Sequence, residues 1–285
     1  MPIFARLFLG VLSRLPWSVL HALGAAMGWA AFLASPAYRK RLLANIAQAG
    51  YAFADMRSAV AHAGRLAAEI PRLWMGAQPD CSVAGEQCVL DAYAQGRGIV
   101  FLTPHLGSFE LSSSYGARRW GAQHGPITVL YRPARQPWLA RIMQTARDKP
   151  YVTNVPTTLA GVRQMLKALR QGQAVGLLPD QVPPVGQGVW APFFGRDAYT
   201  MTLAARLARQ SGAAIILARC ERLPRGAGFA LYLERLQEPL PQDEVLAATQ
   251  INRAMESVIR QSPQQYLWGY ARYKQPRADR TKDAA

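Results

Sequence analysis

The spacing of hydrophobic positions along this chain changes near residue 98. Before it the apolar residues run at helical spacing. "WSVLHALGAAMGWAAFLA", residues 17–34, holds only Ser18 and His21 as polar side chains. "SPAYRKRLLANIAQAG" opens on a Ser-Pro start signal and closes on Gly50, which predicts a short basic amphipathic helix. Residues 54–76 carry another helical period, expected to break at Pro71, with His62 on it and no partner nearby in sequence. From Gly98 to Thr103 the chain becomes a compact apolar run bounded by glycine and proline, a buried strand. "PITVLYRP" predicts a second strand, "QPWLARIMQTARDK" and "TLAGVRQMLKALRQGQ" two helices, and "AVGLLPDQ" a third strand. "YTMTLAARLARQSG" predicts a helix closed by Gly212, and "AAIILARCERL" and "GFALYLERL" two more strands. The alternation between about residues 98 and 236 is that of an α/β fold built on a central sheet. The expected division is N-terminal helices in 1–50, the α/β domain in 51–275 and a polar, disordered tail in 276–285.

The chain has 285 residues, half of them apolar, enough for one sizeable core. Charge sharpens the picture: 33 Lys plus Arg stand against 17 Asp plus Glu, a formal net charge of +16. Such a field favours a polyanionic partner, whether nucleic acid, an anionic membrane surface or an acidic carrier protein. No acidic residue occurs before Asp55, and the 17–34 segment would form a helix ~27 Å long, slightly short of a ~30 Å hydrocarbon core. Arg6 and Arg14 precede it, "YRKR" follows it, and it contains Trp17 and Trp29. That arrangement suits a helix lying in or dipping into the cytoplasmic leaflet, with a buried globular helix as the alternative. No lysine-rich tail or nucleic-acid motif accompanies the charge, so nucleic acid is not expected as a partner. Cys81, Cys88 and Cys220 have no zinc-ligand spacing and leave an odd thiol, which suits a reducing compartment.

Several chemistries drop out on motif grounds. The sequence has no phosphate-binding P-loop, no complete dinucleotide fingerprint and no G-x-S-x-G nucleophile elbow. Four scattered histidines with no His/Cys/Asp cluster argue against a metal. What is left is "TPHLGSFEL", where His105 follows a proline and Glu110 comes five positions later. Within one regular helix that spacing is ~500° of rotation, which would point the two side chains apart. They meet only if His105 sits in the turn before a helix, Ser108 caps it and Glu110 lies in its first turns. A histidine at a helix N-terminus feels the positive end of the dipole, which keeps imidazole neutral and able to accept a proton. A carboxylate on its other nitrogen would fix the tautomer and stabilise the imidazolium. The pair is a general base without its own nucleophile, so the nucleophile should be a substrate hydroxyl.

"TPHLGSFEL" resembles the first block of the glycerolipid acyltransferase superfamily, whose H-x-x-x-x-D/E pair drives acyl transfer from a thioester to a hydroxyl. With its glutamate, and with the later blocks, the chain is similar to the late acyltransferases of lipid A biosynthesis, the lauroyl/myristoyl acyltransferase family. "VLYRP" with "QPWLARIMQTARD" resembles the second block, and "ALRQGQAVGLLPDQ" and "VWAPFFGRDAYTMTLAARLARQSGA" the third and fourth. "SPAYRKRLLANI" and "QQYLWGYARYK" resemble the family's two ends, so the likeness spans roughly residues 10 to 275. "PDQ" stands where the lysophospholipid branch shows E-G-[TS]-R. The chain departs from the family at Gly269-Tyr270-Ala271, where a histidine is common, and in the proline-rich "QVPPVGQG".

The resemblance implies a central mixed sheet flanked by helices, with an N-terminal membrane-associating segment. It implies His105 as base, Glu110 as its partner, and Arg132 in "YRP" as a ligand for phosphate or the acyl-transfer oxyanion. Asp180 and Gln181 end a buried strand near the same rim, where they would support the site, bind the acceptor's polar head or cap a loop. Phe193 and Phe194 would line an acyl pocket or fill the core, and Arg196 would reach a phosphate. The expected reaction is O-acyl transfer from an acyl-acyl carrier protein, or acyl-CoA, to a hydroxyl of an anionic lipid A precursor. It would need no metal or other cofactor and would take place at the cytoplasmic side of a Gram-negative inner membrane. The alternatives are the same chemistry on a lysophospholipid or other hydroxyl and, more remotely, a non-enzymatic basic protein binding membrane or nucleic acid.

Overall fold

The computed structural model describes residues 9–77, 79–131 and 149–277. After a helical stretch at residues 9–12 come three helices: α1 (Trp17–Ala34), α2 (Pro36–Gln48) and α3 (Ser58–Met75). Then follow β1 (Cys81–Ala84), α4 (Glu86–Ala94), β2 (Ile99–Leu102), α5 (Phe109–His124), β3 (Ile127–Tyr131) and β4 (Val152–Pro156). The chain continues through α6 (Leu159–Arg170), β5 (Ala174–Leu177), β6 (Gly188–Phe193), β7 (Arg196–Met201) and α7 (Leu203–Ser211). It closes with β8 (Ala214–Arg222), β9 (Phe229–Arg235) and α8 (Glu244–Gln261). Local signals start several helices. The Ser35 hydroxyl accepts from the Tyr38 amide ahead of Pro36, the Thr158 hydroxyl from the Gly161 amide, and the Asp243 carboxylate from the Leu246 amide.

Seven strands form one mixed sheet in the order β1-β9-β8-β2-β5-β3-β4, and β6 and β7 pair as a separate antiparallel hairpin. From β8 to β4 all neighbours are parallel, while β9 runs antiparallel to β8 and carries β1 parallel to itself. The central strands are buried on both faces, which is why they read as continuous apolar runs. Val100, Leu102, Val175 and Leu177 point into a core shared with Leu42 of α2, Met165 of α6, Leu207 of α7 and Met255 of α8. Ile99, Phe101 and Ala174 face the opposite core, filled by Val89 of α4 and by Leu111 and Trp120 of α5.

Two expected elements come out differently, and β1, α4, β4, β6 and α8 have no counterpart in the sequence expectation. α3 runs through Pro71 to Met75 without breaking, because Glu69 and Leu73 on either side of the proline are buried and hold the helix in place. Tyr199 to Met201, expected to begin a helix, instead complete β7. Their partners are β6 and the buried Arg272, whose guanidinium donates to the Tyr199 carbonyl and the Thr200 hydroxyl, each at 2.6 Å. The expected helix over 136–149 lies outside the described residues apart from Lys149, and most of the C-terminal tail lies outside them too.

α1 is long and apolar enough to cross a membrane by length and composition. One side of it nevertheless packs closely on α3. A Cβ added at Gly64 would sit 1.9 Å from the Gly24 carbonyl oxygen and 2.5 Å from the Gly28 nitrogen, so the two backbones touch where only glycine fits. On the other side Val19, Leu23, Met27 and Leu33 are exposed. Phe32 at the end of α1 joins the same core as Leu42 and Ile46 of α2. Replacing Gly64 by leucine should therefore cost about 1–3 kcal/mol of stability, as overpacking does. Gly10→Ala, whose new Cβ meets nothing within 4 Å, should stay within about 0.5 kcal/mol of the parent. Denaturant midpoints of the two variants check this, and equal midpoints would contradict the close crossing.

Candidate functional site

β2 and β5 are hydrogen-bonded neighbours with Leu102 opposite Leu177. Each is followed by a residue, then a proline, then a polar side chain: Thr103-Pro104-His105 and Leu178-Pro179-Asp180. The pairing continues past the strands through the Thr103 amide, which donates to the Leu177 carbonyl at 3.2 Å. Matched register thus delivers His105 and Asp180 to the same place, at the carboxyl ends of the parallel strands where α/β sheets bind ligands.

Asp180 holds His105 twice. Its Oδ2 accepts from the His105 backbone amide at 2.9 Å, and its Oδ1 lies 2.7 Å from the ring Nδ1. The carboxylate is 3% exposed. Burial would push its pKa up, but the His105 ring, the two hydrogen bonds from His105 and the nearby Arg272 guanidinium hold it below the ordinary carboxyl value. An ionised Asp180 can only accept, so on the neutral ring Nδ1 carries the proton and Nε2 keeps its lone pair. Gln181 Nε2 lies 3.0 Å from that Nε2, and its amide donates there. The Phe109 ring meets the imidazole edge-on, with centroids 4.7 Å apart.

The turn around His105 is fastened from two sides. The Leu267 amide donates to the His105 carbonyl and the Gly107 amide to the Gln265 carbonyl, both at 3.0 Å, and Leu106 bridges to Tyr266. On the other side the Ser108 amide donates to the Cys220 carbonyl of β8 at 2.8 Å. Gly107 has φ +60°, and a Cβ there would meet the Cys220 carbonyl oxygen at 1.9 Å, so this approach requires glycine. Ser108 stands at the N-cap of α5 as expected, but its buried hydroxyl makes no capping bond.

The sequence reading puts Glu110 on the second ring nitrogen. In the structure the carboxylate on His105 is that of Asp180, and Gln181 takes the other nitrogen. Glu110 lies in the first turn of α5 and lines the same cavity as His105. That cavity, about 1690 Å³, exceeds the roughly 300–1,000 Å³ of ordinary small-ligand pockets. Its walls include Phe101, Ile127 and Val129 from the sheet and Leu159, Val162 and Leu166 from α6, with Gln181 and Lys274 among its polar groups. Arg196 opens β7 on the separate hairpin, where it lies over the Tyr273 ring at 4.7 Å and outside the residues lining this cavity. Phe193 and Phe194 are buried in the main core and do not line it either. Arg132 lies outside the described residues. Among those residues no group of three or more His, Cys, Asp or Glu could hold a metal ion. Sequence reasoning placed Asp180 at the right rim without pairing it with His105. The aligned strand-x-Pro endings of β2 and β5 were the signal that could have done so.

Fold and site together define an α/β protein with a carboxylate-clamped histidine at the rim of its sheet, facing a large and largely apolar cavity. The chain belongs to the bacterial lipid A biosynthesis acyltransferase family, whose model matches residues 3–275. It is 32% identical over 198 residues to the lipid A biosynthesis lauroyltransferase of Escherichia coli K12, an alignment covering 67% of this chain and 61% of that protein. It is 30% identical over 184 residues to the palmitoleoyltransferase of the same organism, covering 64% and 58% respectively. A lipid A biosynthesis acyltransferase of Haemophilus influenzae is 25% identical over 187 residues, covering 65% and 56%. The alignments thus span about six-tenths of each relative's length.

A clamped, ionised Asp180 makes stability depend on pH with a definite sign. Its carboxyl pKa is depressed by folding, so its contribution is complete above the ordinary value of about 3.9 and is lost as pH falls toward the depressed one. The stability advantage of the parent over Asp180→Asn should be full near neutral pH and shrink in acid, as read from denaturation at both. An advantage independent of pH would contradict an ionised Asp180.

Proposed function

We propose that this protein transfers a fatty acyl chain from an acyl thioester, carried by an acidic acyl carrier protein, to a hydroxyl of a lipid A precursor. The observation that carries the reading is a histidine with Nδ1 bonded to a buried carboxylate, lining a large, mostly apolar cavity. Membership of the lipid A acyltransferase family and the names of its relatives support the acceptor.

The chemistry follows from the tautomer. The acceptor hydroxyl replaces the Gln181 amide at Nε2 of His105 and gives up its proton there. The alkoxide attacks the thioester carbonyl, and the tetrahedral intermediate collapses with the C–S bond breaking. The thiolate leaves and takes the proton back from the imidazolium, so protons and electrons balance without a covalent acyl-enzyme. Asp180 stabilises the imidazolium as it forms and keeps the ring oriented. The N-terminal end of the α5 dipole and the Glu110 carboxylate both lie at this site. Arg132, on the family's second block, is the proposed ligand for a phosphate or the oxyanion.

The proposed place of action is the cytoplasmic surface of the inner membrane. α1 offers an outer face that is apolar apart from Ser18 in its first turn, with Trp29 also exposed, while its inner face is fixed to α3 and carries the buried His21. A helix fastened in this way suits lying in the interface, with Arg14 before it and Arg39, Lys40 and Arg41 after it to meet anionic headgroups.

Transfer of labelled acyl chains from acyl-acyl carrier protein to purified lipid A precursor tests the reading. His105→Ala and Asp180→Asn should each lower turnover by about 10²–10⁴-fold while remaining folded. Glu110→Ala in the same assay measures what the cavity carboxylate adds. Activity surviving His105→Ala would overturn the mechanism. Transfer to a lysophospholipid but not to the lipid A precursor would replace the acceptor.

A further inference from the structure

A second buried ionic group borders the His105 turn at Gly107. Glu69 of α3 is 0% exposed and Arg222, the last residue of β8, is 4% exposed, with Nε of the arginine 2.5 Å from Oε1 of the glutamate. The same carboxylate oxygen lies 2.7 Å from Nε2 of His21, on the inner face of α1. The rest of the guanidinium is also committed. Nη2 donates to the Gly107 carbonyl at 2.5 Å, and Nη1 reaches Oε1 of Gln265 at 3.3 Å. Gln265 in turn donates from Nε2 to the Arg222 carbonyl and accepts from the Arg222 amide. Gly107 is two residues from His105, and the Gln265 carbonyl accepts from the Gly107 amide.

One planar guanidinium therefore ties together α3, the C-terminal segment and the turn that carries the histidine. Burying such a pair is weak as a source of stability, because the desolvation penalty offsets most of the attraction. What the pair does supply is geometry. An arginine fork can serve three acceptors in fixed directions, which a lysine ammonium on a flexible stem cannot.

We propose that the Glu69–Arg222 pair is a positioning device for the catalytic turn: it holds the Gly107 carbonyl, and so sets where His105 stands, from a base anchored on α3 and, through His21, on the apolar helix α1. The inference rests on the reading of His105 as the general base. Neither residue touches substrate, and their effect passes through the turn.

The test separates positioning from plain structural support. Glu69→Met with Arg222→Met replaces the ion pair by apolar side chains, a change that often leaves stability equal or improved. It also removes the donor to Gly107. Arg222→Lys keeps the charge opposite Glu69 but cannot hold all three acceptors, and serves if the double variant does not fold. In the acyl-transfer assay, each folded variant with a parent-like Tm should show kcat lowered between about 10- and 100-fold with KM little changed, the cost of a small misplacement of a reacting group. A folded variant with parent-like kcat, or one in which only KM rises, would overturn the proposal. His105→Ala is run alongside. If it stays active, the base reading itself has failed; if it is inactive while the folded pair variants are normal, only the positioning role has.

Discussion

The pairing of β2 with β5 is the constraint on which the site depends. It is an ordinary parallel ladder, but its register puts Leu102 beside Leu177 and so brings the two chain segments past their prolines in step. Move either strand by one residue and the carboxylate would leave the imidazole, since a one-residue slip turns every side chain to the opposite face. Core packing enforces that register. Val100, Leu102, Val175 and Leu177 fill one core while Ile99, Phe101 and Ala174 fill the other. The hydrophobic effect on both faces of the sheet thereby fixes a polar geometry at its rim.

A buried carboxylate carries a desolvation cost, and each part of its surroundings answers it. Asp180 receives the His105 amide, the ring nitrogen and the field of Arg272. Arg272 is itself buried, with hydrogen bonds to Tyr199, Thr200 and Asn252 that tie it to the β6–β7 hairpin and α8. The C-terminal segment adds Leu106–Tyr266 and Leu267–His105 contacts, and β8 adds Cys220 and Arg222. Elements far apart in the chain are thus spent on holding one turn, the preorganisation that the proposed proton transfer requires.

The parts of this arrangement legible in the sequence are those governed by local rules. Ile99–Leu102 and Ala174–Leu177 announce themselves as strands because both faces are buried and the residues are uniformly apolar. Thr103-Pro104 and Gly107 mark a turn before a helix, which is enough to single out His105. What is not legible depends on partners distant in sequence. Tyr199 to Met201 read as a helix start because nothing local reports that β6 pairs with them. Pro71 reads as a break because nothing local reports that Glu69 is locked to Arg222, 153 residues away. Glu110 is the nearest carboxylate to His105 along the chain, yet Asp180, 75 residues on, occupies the ring nitrogen, since strand register outweighs sequence proximity.

Asp180 fixes the tautomer of His105 and leaves Nε2 free to serve as the proposed base. The ¹⁵N spectrum of the His105 ring, recorded in the folded protein at a pH where the ring is neutral, reads that directly. The structure predicts a protonated Nδ1 and a bare Nε2, with the preference lost or reversed in Asp180→Asn. A proton on Nε2 in the parent protein would contradict it and would turn the base away from any acceptor hydroxyl.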